Sequence, residues 1–368
     1  MKVVHVYKAY PPVVGGIEHH LRALAEGQAR RGLDVTVLVA SATRSTHVSI
    51  ENGVRVIRTR AWATTASTPL APGLVASIGR LGADLTHLHF PYPLGEMSHL
   101  ALGRSKAMVV TYHSDIVRQR WLGRLYSPLM RRLLGRSDRI IATSDAYLQS
   151  SRPLRQVAAQ CAVVPLGIDP VPFLAASAEP ARSIRPRGSR PEVLFVGKLR
   201  HYKGLDVLID AIAHVDASLL VVGSGPMERQ WRTLAARSQA ADRIRFVGQV
   251  SDDDLPGYYA SADVVVLPSS QRSEAFGLVL VEAMAAGRAI VSTELGTGTS
   301  FVNQHGTSGL VVPPGDSTAL SQALEDLLAD ADWRRWLGEN GQRRAIDHFH
   351  VDPMIDRTIA IYREALHG

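Results

Sequence analysis

Cysteine is almost missing from this chain: Cys161 is the one example in 368 residues. That excludes an internal disulfide framework and a cysteine-built metal cluster, and it fits a reducing compartment. Long hydrophobic runs are missing as well. No stretch approaches the roughly 18 apolar residues of a membrane-spanning helix, so no such helix is expected. The first residues, MKVVHVYKAYPP, enter a strand pattern at once. They lack the charged start, apolar run and small-residue cleavage site of a secretory leader, and none is expected. There is no short-period repeat or low-complexity tract, and no spacing of His with Glu resembles a metal site.

What is present is globular: 46% hydrophobic and 20% charged residues supply a core for each of two or three domains. The net charge of +7 is unevenly spread, with +11 on residues 1–170 and −4 on residues 171–368. A basic first half suggests an acidic partner: anionic lipid, a phosphorylated acceptor or nucleic acid. A merely soluble basic surface is the plain alternative.

In the first half, strand patterns at 2–7, 34–40, 54–59, 84–89, 107–112, 139–143 and 162–164 alternate with helical ones, starting at 16–31. Such alternation implies an α/β, doubly wound and mostly parallel sheet, with ligands at the carboxyl ends of the strands. Residues 165–191 hold six prolines and few periodic apolar positions, and read as a linker. A second alternating series follows, with strands at 193–197, 218–223, 243–248, 263–267, 289–292 and 309–312, and helices including 205–214 and 318–329. A last helix, 353–366, comes after the second sheet is complete. Two α/β domains of this kind, 1–170 with the C-terminal helix and 171–352, are expected to face a central cleft.

The stretch with the most chemistry is 268–292, PSSQRSEAFGLVLVEAMAAGRAIVS. A strand runs into a polar loop, then into an apolar helix over 276–286. The amides of Phe276, Gly277 and Leu278 would be unpaired donors of a helix N-terminus, which attracts phosphate. Glu274 and Glu282 are eight residues apart, at most about 12 Å along a helical rise. One carboxylate can sit beside each end of a diphosphate-linked ligand and accept from its hydroxyls. Elsewhere, YPPVVGGIE places Gly15 and Gly16 at a strand-to-helix turn. VGKLRHYKG carries Lys198 and Lys203, two cations able to clamp a diphosphate. VGSGP at 222–226 is a third such turn, but the third glycine of a dinucleotide fingerprint is absent. Asp252–Asp254 imitates a metal motif and reads instead as first-turn acids behind an N-cap, Ser251. In TYHSD, His113 ends a strand and points toward the expected cleft. His87 and His89 read as packing residues.

Taken together, the Gly-Gly turn, the strand-end HSD, the VPLGID linker, VGKLxxxKG, GSGP and EAFGLVLVE resemble the retaining nucleotide-sugar glycosyltransferases of family 4, with the two-Rossmann GT-B fold. The resemblance spans essentially the whole chain. It implies that Glu274 contacts the donor sugar and Glu282 the nucleotide ribose. Lys198 and Lys203 hold the diphosphate, helped by Gly16 and the amides of Phe276 to Leu278, and His113 lies near the sugar. Many members carry arginine at the position of Lys198, and lysine keeps the charge but loses the bidentate fork. The resemblance also implies that the last helix crosses back to the first domain. YHSDIVRQ and TELGTGTSFVNQHGTSGLVVPP are similar to bacterial mannosyl- and rhamnosyltransferases of O-antigen and exopolysaccharide assembly. That favours GDP-mannose, with UDP-glucose and GDP-rhamnose open, and a carbohydrate or lipid-linked acceptor rather than nucleic acid.

The expected reaction is therefore hexose transfer to an acceptor hydroxyl with retention, needing no metal or cofactor. An NAD-dependent epimerase or oxidoreductase and a non-catalytic sugar-nucleotide binder are the rival readings. Residues 117–136 carry an apolar stripe, Val117, Trp121, Leu125, Leu129 and Leu133, widened by Leu122, Tyr126, Met130 and Leu134. Arg120, Arg124 and Arg131 give that segment a basic side. It reads either as core-facing helix or as a surface resting on anionic membrane, which would make the protein cytoplasmic and peripheral. Ser127 and Pro128 look like an N-cap and first helical residue, predicting two short helices.

Overall fold

The computed structural model describes residues 1–13, 15–41, 45–65, 68–115, 120–178 and 190–368. They form two compact units, Met1–Leu166 with Val351–Gly368, and Gly167–His350.

The first unit contains β1 (Lys2–Tyr7), α1 (Gly16–Arg30), β2 (Asp34–Ser41), β3 (His47–Glu51), β4 (Val54–Arg60), β5 (Ala63–Thr65), β6 (Thr68–Leu70), α2 (Pro72–Arg80), β7 (Leu85–Phe90), α3 (Pro93–Leu102), β8 (Ala107–Tyr112), α4 (Arg120–Arg136), β9 (Arg139–Ala142), α5 (Asp145–Ser150), α6 (Arg152–Arg155) and β10 (Cys161–Val163). Its eight-stranded sheet runs β10-β9-β8-β7-β1-β2-β4-β3. All pairings are parallel except β3 with β4. The inner strands are buried along nearly their whole length, so β1 and β8 read as mostly apolar runs, while β7, LTHLHF, buries three polar side chains. On α1, Leu21, Leu24, Ala25 and Gln28 recur at helical spacing and are all buried.

The second unit contains α7 (Val171–Ala178), β11 (Glu192–Val196), α8 (Leu205–Ile212), β12 (Ser218–Val222), α9 (Glu228–Arg237), β13 (Ile244–Gly248), α10 (Leu255–Ser261), β14 (Val264–Leu267), α11 (Leu278–Ala285), β15 (Ala289–Thr293), α12 (Gly298–Val302), β16 (Gly309–Val312), α13 (Ser317–Ala329) and α14 (Ala331–His348). Its sheet, β13-β12-β11-β14-β15-β16, is parallel throughout. The final helix, α15 (Val351–His367), packs on the first unit. Met354, Ile355, Ile359 and Tyr362 join Val3, Leu24, Leu85 and Val109 in one core.

Several expectations need correction. The edge strand β3 and the β5–β6 ribbon have short, partly polar sequences that carry no clear strand signal. The segment read as a linker contains α7, started by Pro170 and Pro172 and held by Phe173 against Tyr259. Residues 179–189 of that segment, and Val117, lie outside the described residues. Instead of two short helices, α4 is one helix with Pro128 inside it. An interior proline costs about 3 kcal/mol, and the burial of Leu133 and Leu134 past it offsets that loss. The helix read from Phe276 begins at Leu278. The N-cap of α10 is Asp254, while the Ser251 hydroxyl accepts from the Asp254 amide one turn earlier, at 3.1 Å.

In each sheet the chain starts in the middle, builds one side, then returns to build the other. In the second unit β11 lies between β12 and β14; in the first, β1 lies between β2 and β7. Loops leaving the carboxyl ends of such neighbouring strands diverge and leave room for a ligand.

Candidate active-site residues

In the second unit the two diverging loops are 197–204, after β11, and 268–277, after β14. They are tied by a buried ion pair: Lys203 Nζ lies 2.6 Å from Glu274 Oε2, with side-chain exposures of 10% and 11%. Burial disfavours the Lys203 ammonium most, but the nearby Glu274 carboxylate, Tyr202 and Glu282 outweigh it and its pKa rises. The hydroxyl of Ser269, fully buried, donates to the same Glu274 oxygen at 2.9 Å. Thr297 donates to the Glu274 carbonyl at 2.8 Å, and the Gly298 amide to the Ala275 carbonyl at 2.7 Å. Glu274 is therefore held at both ends by chain that arrives from three strands. Gly204 makes the approach possible: a Cβ there would meet the Pro268 carbonyl at 2.0 Å.

Gly277 caps α11 with φ of 83°, a left-handed conformation that favours glycine. The Leu280 amide bonds back to the Gly277 carbonyl. Leu278 and Val279, the first two helical residues, have by position no helical acceptor for their amides. Phe276 can offer only its backbone, because its ring is buried against Phe349 at 5.8 Å. Glu282, one turn along α11 and half-buried, accepts from the Tyr259 hydroxyl at 2.6 Å. Burial, then the Glu282 charge, pushes the Tyr259 phenol well up, so it stays a donor. Lys198 is exposed.

In the first unit, Gly16 is the exposed first residue of α1. His113 follows β8, with its amide bonded to the Phe90 carbonyl at 3.0 Å. It is not the isolated strand-end histidine expected. Its ring is 4% exposed and lies 5.3 Å from both His89 and His20, in a cluster with His5 and His87. Burial, foremost, drives all five rings toward the neutral form. His5 falls to about 4 and His20 to about 3; His87, His89 and His113 fall well below the usual value. Asp115 anchors the loop after His113. It accepts from Tyr112 and Ser151 at 3.0 and 2.9 Å, and its amide donates to Tyr147.

The family model described as glycosyl transferases group 1 matches residues 178–344, and that described as Glycosyltransferase Family 4 matches residues 14–171. An O-antigen chain mannosyltransferase C of Escherichia coli is 37% identical over 369 residues, covering 100% of this chain and 99% of that one. The chain belongs to the family 4 glycosyltransferases. The D-rhamnosyltransferase WbpZ of Pseudomonas aeruginosa is also 37% identical, over 94% of this chain and 91% of its own. Among solved structures, a sucrose-phosphate synthase from Thermosynechococcus elongatus superposes with a TM-score of 0.82 and 27% identity, covering 99% and 98% of the two chains. WaaG, described as a glycosyltransferase of lipopolysaccharide biosynthesis, shares the fold with a TM-score of 0.77 and 19% identity. The architecture is GT-B, with a Rossmann-like sheet in each unit, and the protein is a glycosyltransferase.

In this glycosyltransferase, the structure brings Lys203, Glu274, Gly277 and Leu278 together in the second unit, with Glu282 on the same helix. Lys198 stands on the loop of Lys203 but outside the ion pair. Gly16 and His113 sit in the first unit. Sequence reasoning missed Ser269, Thr297 and Tyr259. Ser269 and Thr297 lie in polar loops that directly follow strands, the one usable signal. Tyr259 lay inside a helix pattern with nothing to mark it. His5 and His20 were missed and His87 and His89 were assigned to packing, because nothing local shows that they meet.

Proposed function

We propose that the enzyme transfers a hexose, best taken as mannose from GDP-mannose, to a hydroxyl of a polysaccharide or lipid-linked acceptor, with retention at the anomeric carbon. The observation that carries this is the buried Lys203–Glu274 pair beside the N-terminus of α11, at the point where the second sheet reverses its winding. A diphosphate leaving group needs preorganised positive charge. Lys203, Lys198 and the first amides of α11 supply it without a metal. Glu274 is rigid enough to order sugar hydroxyls and to favour positive charge growing at the anomeric carbon. Glu282 reads the ribose. On this reading the second unit binds the donor, and the first carries the acceptor side and His113. No carboxylate is assigned as covalent nucleophile, so the acceptor attacks from the face the diphosphate leaves, and the leaving phosphate takes the acceptor proton. The two 37% identical relatives named for mannosyl and rhamnosyl transfer support the choice of donor. The enzyme would work in the cytoplasm on the inner face of the membrane. No helix among the described residues is long and apolar enough to cross one.

A thermal-shift panel of GDP-mannose, GDP-rhamnose, UDP-glucose and the bare nucleotides tests the donor. A ligand at 100 times its dissociation constant adds about 2.7 kcal/mol. GDP-mannose is expected to give the largest shift. Turnover is expected to continue in EDTA, and the product anomer to match the donor. A larger shift and faster turnover with UDP-glucose would overturn the donor assignment, and an inverted product the retention.

A further inference from the structure

We infer that Gln28 and Tyr362, acting through His5 and His89, set the tautomer of His113 and leave its Nδ1 as a bare acceptor for a sugar hydroxyl. The inference rests on the reading above that the first unit carries the acceptor side and His113. It comes from a continuous hydrogen-bonded chain through the core of the first unit. His113 Nε2 lies 3.0 Å from His89 Nδ1, His89 Nε2 lies 3.1 Å from His5 Nδ1, and His5 Nε2 lies 2.8 Å from Gln28 Oε1. Gln28 Nε2 donates to the Tyr362 hydroxyl at 3.1 Å. That hydroxyl contacts His87 Nδ1, and His87 Nε2 lies 2.7 Å from Thr111 Oγ1. Five elements contribute: β1, α1, β7, α15 and the end of β8.

The amide is the one member of this chain whose two ends differ permanently. Its oxygen only accepts and its nitrogen only donates. Gln28 Oε1 faces His5, so the His5 proton sits on Nε2 and its Nδ1 accepts. The His89 proton must then sit on Nε2, and its Nδ1 accepts from His113 Nε2–H. Each neutral ring carries one proton, so the choice made at Gln28 passes unchanged to His113, whose Nδ1 is left without one. On the other arm, Tyr362 accepts from Gln28 and so donates to His87 Nδ1, and His87 Nε2–H donates to Thr111. The logic needs neutral rings, because an imidazolium donates from both nitrogens and would face a neighbour donor to donor. Complete burial supplies that neutrality. Besides its partner His89, the charged or titratable groups beside His113 include His20 and Lys8, both of which oppose its protonation. The Nδ1 atom of His113 accepts no hydrogen bond from the described residues.

Gln28, His5, His89 and Tyr362 are thus positioning residues. A hydroxyl arriving at His113 finds an acceptor, and a ligand oxygen with no proton finds none of the donors that the reverse tautomer would offer. A sugar hydroxyl is thereby preferred over an anionic oxygen at that point.

The experiment is nitrogen NMR of the full chain with ring-labelled histidine. Wild type is expected to show pyrrole-like Nε2 and pyridine-like Nδ1 signals at His5, His89 and His113. An Nδ1–H tautomer at His113, or fast averaging of its two nitrogens, overturns the inference without any variant. Gln28→Met removes both ends of the amide and is expected to mix the His113 tautomers and lower kcat/KM about tenfold, the worth of one hydrogen bond. Gln28→Glu still offers His5 an acceptor and is expected to keep the Nε2–H form. A purely structural role for Gln28 predicts equal damage from both variants and no change of tautomer in either, which would also overturn it. One equivalent of zinc is expected to leave the signals in place. Zinc retained through gel filtration with shifted His20, His89 and His113 signals would replace the relay by a metal site, since those nitrogens lie within 4.8 Å of one another. His113→Ala separates the two levels. Unchanged kcat/KM in that variant removes His113 from the sugar, and with it the acceptor role, even where the tautomer stands.

Discussion

The two clusters of polar side chains solve the same problem in opposite ways. In the second unit, Lys203 and Glu274 are buried as charges and are stable there because each neutralises the other at 2.6 Å. In the first, five histidines are buried as neutral rings. Four of them share protons along a chain, and both nitrogens of His20 have no hydrogen-bond partner among the described residues. A charge pair keeps two full charges fixed in place, which the proposed donor site would use. A neutral chain confers direction without potential. The first arrangement fails when one partner is removed, the second when a proton is added.

The largest expected effect comes from acid. The histidines have folded pKa values below their ordinary 6.5, so their contribution is fully present above that value. As pH falls below 6.5 the unfolded chain takes up protons that the folded one refuses, at a cost of about 1.4 kcal/mol per ring per unit. The loss runs down to about 4, where His5 titrates in the folded state too. Glu96 works the other way. Burial raises it to about 8, so its penalty is relieved as pH falls from 8 toward 4.5, offsetting about one ring. Urea denaturation at pH 7.0 and 5.5 is therefore expected to show a loss of several kcal/mol. A flat profile across that interval would mean the rings are not buried neutral.

Next in size is the ion pair. Lys203→Met strands a buried carboxylate and is expected to cost about 3–5 kcal/mol in stability as well as turnover. The double variant with Glu274→Leu should recover most of the stability but none of the turnover. If the single and double variants melt alike, the pair is not coupled as its geometry implies.

The division of labour on the second unit can be read at smaller scale. Glu274→Gln is expected to lower kcat about 100-fold with little change in affinity for bare nucleotide, because on the proposed reading it removes charge beside the reacting carbon. Glu282→Gln should instead weaken nucleotide binding by about tenfold, one charge-assisted bond. Calorimetry with GDP and kinetics with the sugar donor separate them; equal effects on GDP affinity would end the distinction. Exposed Lys198, changed to Ala, should also cost about tenfold in nucleotide affinity, the same for GDP and UDP.

The smallest effect concerns the basic end of α4, where Arg131, Arg132 and Arg136 are exposed while Leu133 and Leu134 face the core. Changing the three arginines to Ser is expected to reduce sedimentation with anionic liposomes at low salt, since such attraction acts over about 8–10 Å. Nucleotide affinity should not move. Equal recovery of both proteins in the supernatant would leave α4 as packing alone.

The acidic loop at 252–254 shows where local reading worked. Its helix start was placed three residues early, yet Ser251 does cap the turn, because capping depends on residues three apart. The edge strand β3 shows where it did not. His47–Glu51 has no apolar alternation of its own and is a strand because β4 offers it a partner.

By itself the sequence determined the order and kind of nearly all the elements, since apolar periodicity, caps and glycine turns are properties of neighbouring residues. It also marked the candidates for the proposed donor site, because Lys203, Glu274, Gly277 and Glu282 lie in short strand-to-helix segments. Tertiary structure alone decided how those groups are paired. Lys203 meets Glu274 because β11 and β14 are adjacent in the sheet, although β12 and β13 intervene in the chain. The histidine chain closes through Tyr362, 334 residues from Gln28 and 275 from His87. No local pattern encodes such contacts. They follow from sheet order and from the return of α15, and the protonation of each ring follows in turn from being buried there.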